Sequence, residues 1–146
     1  METDSGDITI EGRIEPLLRQ IGFPFSRGPG AEYEIVVGIA GGRQQAVTIA
    51  AIAQRIEGGE ILRISSNAYI CDGHIAEGIA NALLALNSST RTGAWCIQLD
   101  RNDARHVAYV AKIPFADNPD LLRHVLLEVA DMADDIEAKL SATDRF

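Results

Sequence analysis

The sequence predicts a single α+β domain: an antiparallel sheet of about five strands with flanking helices, in the order α-β-β-β-α-β-β-α. Three observations predict it. Apolar residues recur at three- and four-residue spacing in three separate segments, each the mark of a helix with one buried stripe. Runs rich in Ile, Val and Thr are broken by the glycine pairs Gly41-Gly42 and Gly58-Gly59, which supply the positive φ that tight hairpins need. The helices flank groups of hairpin strands and do not alternate with single strands, which excludes a doubly wound parallel sheet.

The first helix is expected over residues 9–20, where Ile10, Ile14, Leu17, Leu18 and Ile21 form the stripe. Pro16 either starts this helix or kinks it, because it lacks the donor for the preceding turn, and Gly22 stops it. Residues 23–30 read as a loop rich in Pro and Gly. Three strands follow, over 33–40, 44–55 and 60–65, with Ser65-Ser66-Asn67 as the end of the third. A second helix is expected over 73–86, with Asp72 as its N-cap and the stripe Ile75, Ile79, Ala82, Leu83 and Leu86. Strands at 93–100 and 105–115 are joined by Arg101-Asn102-Asp103-Ala104, which is turn chemistry. Asn118-Pro119-Asp120 then supplies an N-cap, a first-turn Pro and a first-turn acid for the last helix. Its stripe runs through Leu122, Val125, Leu126, Val129, Met132, Ala133, Ile136 and Leu140. The domain is expected to span 9–141, with tails at 1–8 and 142–146.

The 146 residues are 47% hydrophobic and 23% charged, a globular composition with enough chain for its own core. The formal net charge of −8 works against nucleic-acid binding, which requires Lys and Arg to neutralise phosphates, and against anionic membrane surfaces. No apolar run has the length of a membrane span. Cys71, in a polar loop, and Cys96, in an apolar strand, form neither a CxxC pair nor a zinc spacing. Together with an acidic N-terminus lacking an apolar signal region, they point to a reducing cytoplasmic setting.

Residues 38–43, Gly-Ile-Ala-Gly-Gly-Arg, lack the Lys-Ser/Thr of a phosphate loop and lead into a strand, so they read as a hairpin turn. His74 and Glu77 would share a helix face, but two ligands do not specify a metal site. Glu128, Asp131 and Asp135 fall at i, i+3 and i+7 on the last helix; a solvated face with an Asp135–Lys139 pair is the simpler reading, and a protein-contact surface the next. No catalytic residue, cofactor or metal is assigned. Trp95 alternates with Ile97 and Leu99 and reads as core, or as an interface anchor if that sheet face is open. The strands are apolar at consecutive positions, as in Ile35-Val36-Val37 and Ile49-Ala50-Ala51-Ile52, which points to cover on the second sheet face by a partner, a second subunit or a helix. Val36, Ile52, Trp95, Glu128, Asp131 and Asp135 are therefore the expected partner surface.

The stretches Ile64-Ser65-Ser66, Leu83-Leu84-Ala85-Leu86-Asn87, Gly93-Ala94-Trp95-Cys96-Ile97-Gln98-Leu99-Asp100, Ile113-Pro114-Phe115 and Ala133-Asp134-Asp135-Ile136-Glu137, in this element order, resemble the type III secretion chaperone-like fold and, within it, the YbjN-like bacterial domain. The resemblance covers about residues 10–140, with the Gly/Pro-rich segment 23–30 as a departure from the pattern. It implies a non-enzymatic bacterial fold, frequently dimeric, that binds extended segments of other proteins. A homodimer with an unknown protein partner is the expectation, with a secretion chaperone dedicated to one effector, or a metal-dependent regulator or enzyme, as alternatives.

Overall fold

The computed structural model describes the backbone of residues 10–28, 30, 32–56 and 59–143, and the side chains of these except at 10, 11, 52–56, 59 and 141–143. Nine elements follow one another: α1 (Ile10–Ile21), β1 (Phe25–Arg27), β2 (Tyr33–Gly38), β3 (Gln44–Ile56), β4 (Gly59–Asp72), α2 (Glu77–Leu86), β5 (Gly93–Leu99), β6 (Ala104–Pro114) and α3 (Pro119–Thr143). The strands form one antiparallel sheet in the order β1-β2-β3-β4-β6-β5. The predicted α+β class and element order hold, with one strand more than expected. That strand, β1, lies inside the expected loop. It is three residues long, too short to show a period, and pairs Phe25 with Ile35.

Two boundaries also move. β4 does not end at Ser65; it continues to Asp72, so Cys71 lies on a strand and not in a loop. The polar pair Ser65-Ser66 survives mid-strand because its groups are satisfied. The Ser66 hydroxyl donates to the Ala46 carbonyl at 2.7 Å and accepts from Gln45 Nε2 at 3.0 Å. In consequence α2 starts later than the sequence suggests. Asp72 is not its cap; the cap position is Ala76, without a side-chain hydrogen bond, and His74 lies before the helix and not on one face with Glu77. Pro16 sits on the exposed side inside α1, which runs through it.

Other local expectations hold. Gly41 and Gly42 take φ of +83° and +78° in the hairpin between β2 and β3. Asn118 Oδ1 accepts from the Leu121 N–H at 3.1 Å and caps α3. Asp100 Oδ1 accepts from Asn102 N at 2.8 Å and Ala104 N at 3.0 Å in the turn before β6. The acidic side of α3 is not uniformly solvated, since Asp134 is buried and takes Arg43 Nη2 at 2.7 Å, tying the β2–β3 hairpin to the helix.

The core lies on one face of the sheet. Tyr33, Ile35, Val37, Val47, Ile49, Leu62, Ile64, Val107, Tyr109, Ala111 and Trp95 point to it and meet Ile14, Leu17 and Leu18 of α1, Leu83 of α2 and the α3 stripe. The alternate residues face the other way: Val36, Ala46, Thr48, Ala50, Arg63, Ser65, Ala94, Cys96, Ala108, Val110 and Lys112 are all outside that cluster. All three helices therefore contribute to one side, and among the described residues no helix lies on the second face, although Ser65, Ala108 and Val110 there are buried.

Candidate functional site

α2 is apolar over most of its surface, yet Leu83 is its one fully buried side chain. Leu84 is 67% exposed and Leu86 39%. The helix stands as a ridge between two apolar depressions. Toward β5 lies a cavity of about 130 Å³ lined by Ala80, Leu83, Leu84, Trp95, Cys96 and Ile97. Toward α3 lies a groove of about 450 Å³ that includes Ile79, Leu86, Ile136 and Leu140. The first is on the scale of engineered cavities of about 150 Å³ that accept a small hydrocarbon ring.

The β5 strand beside this cavity is the sheet edge, and half of it is covered by side chains. Asn87 clamps the backbone of Trp95: its Oδ1 accepts from Trp95 N at 2.6 Å and its Nδ2 donates to Trp95 O at 3.2 Å. The amide thus stands where a neighbouring strand would stand. Successive residues of an antiparallel strand present N–H and C=O to opposite sides. Since the backbone N–H and C=O of Trp95 face the sheet edge, so do those of Gly93, Ile97 and Leu99, and the Asp100 N–H correspondingly donates inward to the Ala104 carbonyl at 3.0 Å. The Thr90 hydroxyl covers the Gly93 carbonyl. Ile97 and Leu99 have no such cover among the described residues, and their side chains are 46% and 61% exposed. They alternate in phase with Trp95 yet stay exposed, while Trp95 itself is buried against Leu83 and Tyr109.

Trp95 forms the floor. It is 5% exposed and meets Tyr109 edge-on, with centroids 5.3 Å apart and planes at 66°. Its Nε1–H finds no acceptor among the described residues. An unsatisfied buried donor costs about 1–3 kcal/mol, so an incoming carbonyl that reached it would be favoured.

Tyr109 anchors the start of β5 to α3. Its Oη donates to Glu128 at 2.9 Å and accepts from Gly93 N at 3.1 Å, and Thr92 N donates to the same Glu128 oxygen at 3.3 Å. Burial pushes Glu128 up, but the hydrogen bonds from Thr92 and Tyr109 outweigh it and hold the carboxyl below its ordinary value. Burial, and then Glu128, push Tyr109 up. Asp131, exposed, shares a cleft with Arg91, His124, Leu127 and Met132, whereas Asp135 pairs with Lys139 at 3.0 Å. Of the residues expected at a partner surface, Trp95 and Glu128 are joined through Tyr109. Val36 lies apart on the second sheet face, and Ile52 pairs with Ile61 in register but its side chain lies outside the described residues. Cys96 is half-buried and lies outside the core cluster. Among the described residues no group of three or more His, Cys, Asp or Glu converges.

Sequence reasoning missed Asn87, Ile97, Leu99 and Leu84 as site residues. Leu84 carried a signal, since it is a large apolar residue off the α2 stripe. Asn87 carried none, since an Asn after a helix reads as a stop.

Acid should weaken these contacts. Glu128, Asp134 and Asp100 are held below their ordinary values, Glu128 by the hydrogen bonds above, Asp134 chiefly by its hydrogen bonds from Arg43 and Asp100 chiefly by His106. A depressed carboxyl contributes its full stability above its unfolded value, 4.5 for Glu and 3.8 for Asp, and loses it as pH falls through the folded value. Melting temperatures followed by circular dichroism should therefore be flat from neutral pH to near 4.5 and fall below it. A decline beginning near neutrality would contradict this.

The fold and groove define a class: a domain whose helices roof one sheet face and whose outer strand is half covered and half free. A fold of this kind is seen in YbjN from E. coli, a candidate transcription regulator, whose crystal structure superimposes with a TM-score of 0.56 over 94% of each chain at 7% identity. The chain therefore has a YbjN-like fold. No protein-family model matches the sequence, and no curated protein does.

Proposed function

We propose that this chain is a non-catalytic protein-binding domain that holds an extended, apolar segment of a partner in the groove between α2 and the free half of β5. The observation that carries the reading is the unprotected Ile97–Leu99 edge lying beside the exposed Leu84 and the cavity floored by Trp95. Strand addition uses main-chain hydrogen bonds for affinity and alternate side-chain pockets for specificity, and this edge offers both. The likeness in fold to YbjN, described as a candidate transcription regulator, is consistent with a binding role.

A second copy is the other occupant that an observation favours. Residues 78–90 carry no charged side chain in a chain of net charge −8, so this is where two copies approach with the least repulsion. Light scattering decides between them: a dimeric mass lost in Leu84→Lys assigns the ridge to a second copy, and a monomeric mass leaves it to a different protein. For the binding role itself, amide exchange is the test. Ile97 and Leu99 amides should exchange fast in the free chain and become protected by an alternating Val/Thr peptide, and Ile97→Lys should weaken that peptide by about tenfold, or 1.4 kcal/mol. Unchanged exchange at both amides in the presence of every apolar strand peptide tried would sink the reading.

A further inference from the structure

The sheet face without helices carries a charge arrangement that the groove does not explain. Arg63 of β4 and Lys112 of β6 are direct cross-strand partners near its centre. Like charges placed opposite each other in an antiparallel pair destabilise it. Neither has a carboxylate within ion-pair distance among the described residues; Arg63 reaches only the Ser65 hydroxyl, at 3.3 Å. In a chain with 21 acidic and 13 basic residues, two adjacent cations without a counter-charge stand out.

Their surroundings narrow the occupant. Along β3, Thr48 and Ala50 lie beside Ser65 and Arg63, and along β6 and β5, Val110 and Ala94 follow in register. Ser65 and Val110 are themselves buried, so beside the two cations this face presents chiefly Thr48, Ala50 and Ala94, small side chains that let another polypeptide approach, with Glu34, the register partner of Thr48, on the same side. Among the described residues no aromatic side chain, on which bases of a single strand would stack, lies on this face: Tyr33, Tyr69, Trp95 and Tyr109 belong to the core cluster or pack against it. A polyphosphate needs a longer run of cations than this face offers, while two local cations suit a few carboxylates. We infer that this open face is a second docking surface, separate from the α2–β5 groove, and that it takes an acidic polypeptide segment whose carboxylates pair with Arg63 and Lys112.

The test uses the full chain and a fluorescein-labelled peptide of alternating Glu and Val, followed by anisotropy, with a Gln/Val peptide as control. Saturable binding of the Glu/Val peptide that weakens steeply with added salt is expected, as is a loss of about tenfold or more in Arg63→Glu. That variant separates docking from folding: an acid at position 63 faces Lys112 across the strands, so its melting temperature should rise while its affinity falls. Absence of saturable binding, equal binding of the Gln/Val peptide, or full binding by Arg63→Glu would each overturn the proposal. An oligothymidylate that displaces the peptide at equal charge concentration would overturn it in favour of a nucleic-acid surface.

Discussion

Gly93→Ala is expected to destabilise the domain by about 3 kcal/mol, a large share of the total for a chain of this size. The reason is a close approach. A Cβ at this position would lie 2.5 Å from the Val110 carbonyl oxygen and 2.9 Å from Cε2 of the Tyr109 ring. The first neighbour is backbone and cannot swing aside. The second is a fully buried ring held edge-on to Trp95 and hydrogen-bonded to Glu128, so displacing it disturbs three contacts together. Gly38, in β2, is the matched control, since a Cβ there meets nothing within 4 Å. Gly38→Ala should change stability by less than about 1 kcal/mol and could raise it, because alanine lowers the entropy of the unfolded chain. Urea unfolding with m-values checked for constancy reads both. Equal midpoints for the two variants would show that the Tyr109 contact does not constrain position 93.

Gly93 also shows where the sequence stops being informative. Its neighbours Ala94 to Leu99 announce a strand by composition, and the two long helices announce themselves by apolar period and by the Asn118-Pro119 start. Those signals are local, and the element order follows from them. The reason for glycine at 93 is a ring sixteen residues away, visible only once β5 and β6 are in register. The end of β4 was hidden for a similar reason: Ser65-Ser66 looks like a strand terminus until Gln45 and Ala46 are placed beside it. Trp95 was legible as core or anchor, and it sits between the two, buried but flooring an open cavity. Ile97 and Leu99 keep the alternation of a core strand and are nonetheless exposed, because the length of α2, not the β5 pattern, decides how much of the strand is roofed. The consecutive apolar positions in β2 and β3 did signal a second sheet face of low polarity, but a single sequence does not record what covers it.

The contrast between two leucines tests whether exposure on α2 serves folding or binding. Leu126, near the middle of α3, is fully buried against the sheet, so Leu126→Ala should cost about 2–5 kcal/mol through lost transfer energy and a residual cavity. Leu84 has the same chemistry but is 67% exposed, so Leu84→Ala removes little buried surface and should cost under about 0.5 kcal/mol. If α2 were merely a poorly packed part of the core, the two variants would grade together with burial and neither would alter association. If the ridge is a docking element, Leu84→Ala should leave the urea midpoint in place and still weaken a bound Val/Thr peptide or a dimer. The expected pattern is therefore crossed: Leu126→Ala loses stability while retaining affinity under folded conditions, and Leu84→Ala loses affinity while retaining stability. A Leu84→Ala variant that unfolds as easily as Leu126→Ala would mean that α2 packs more tightly in solution than its exposure indicates, and the groove would then have no room for a partner.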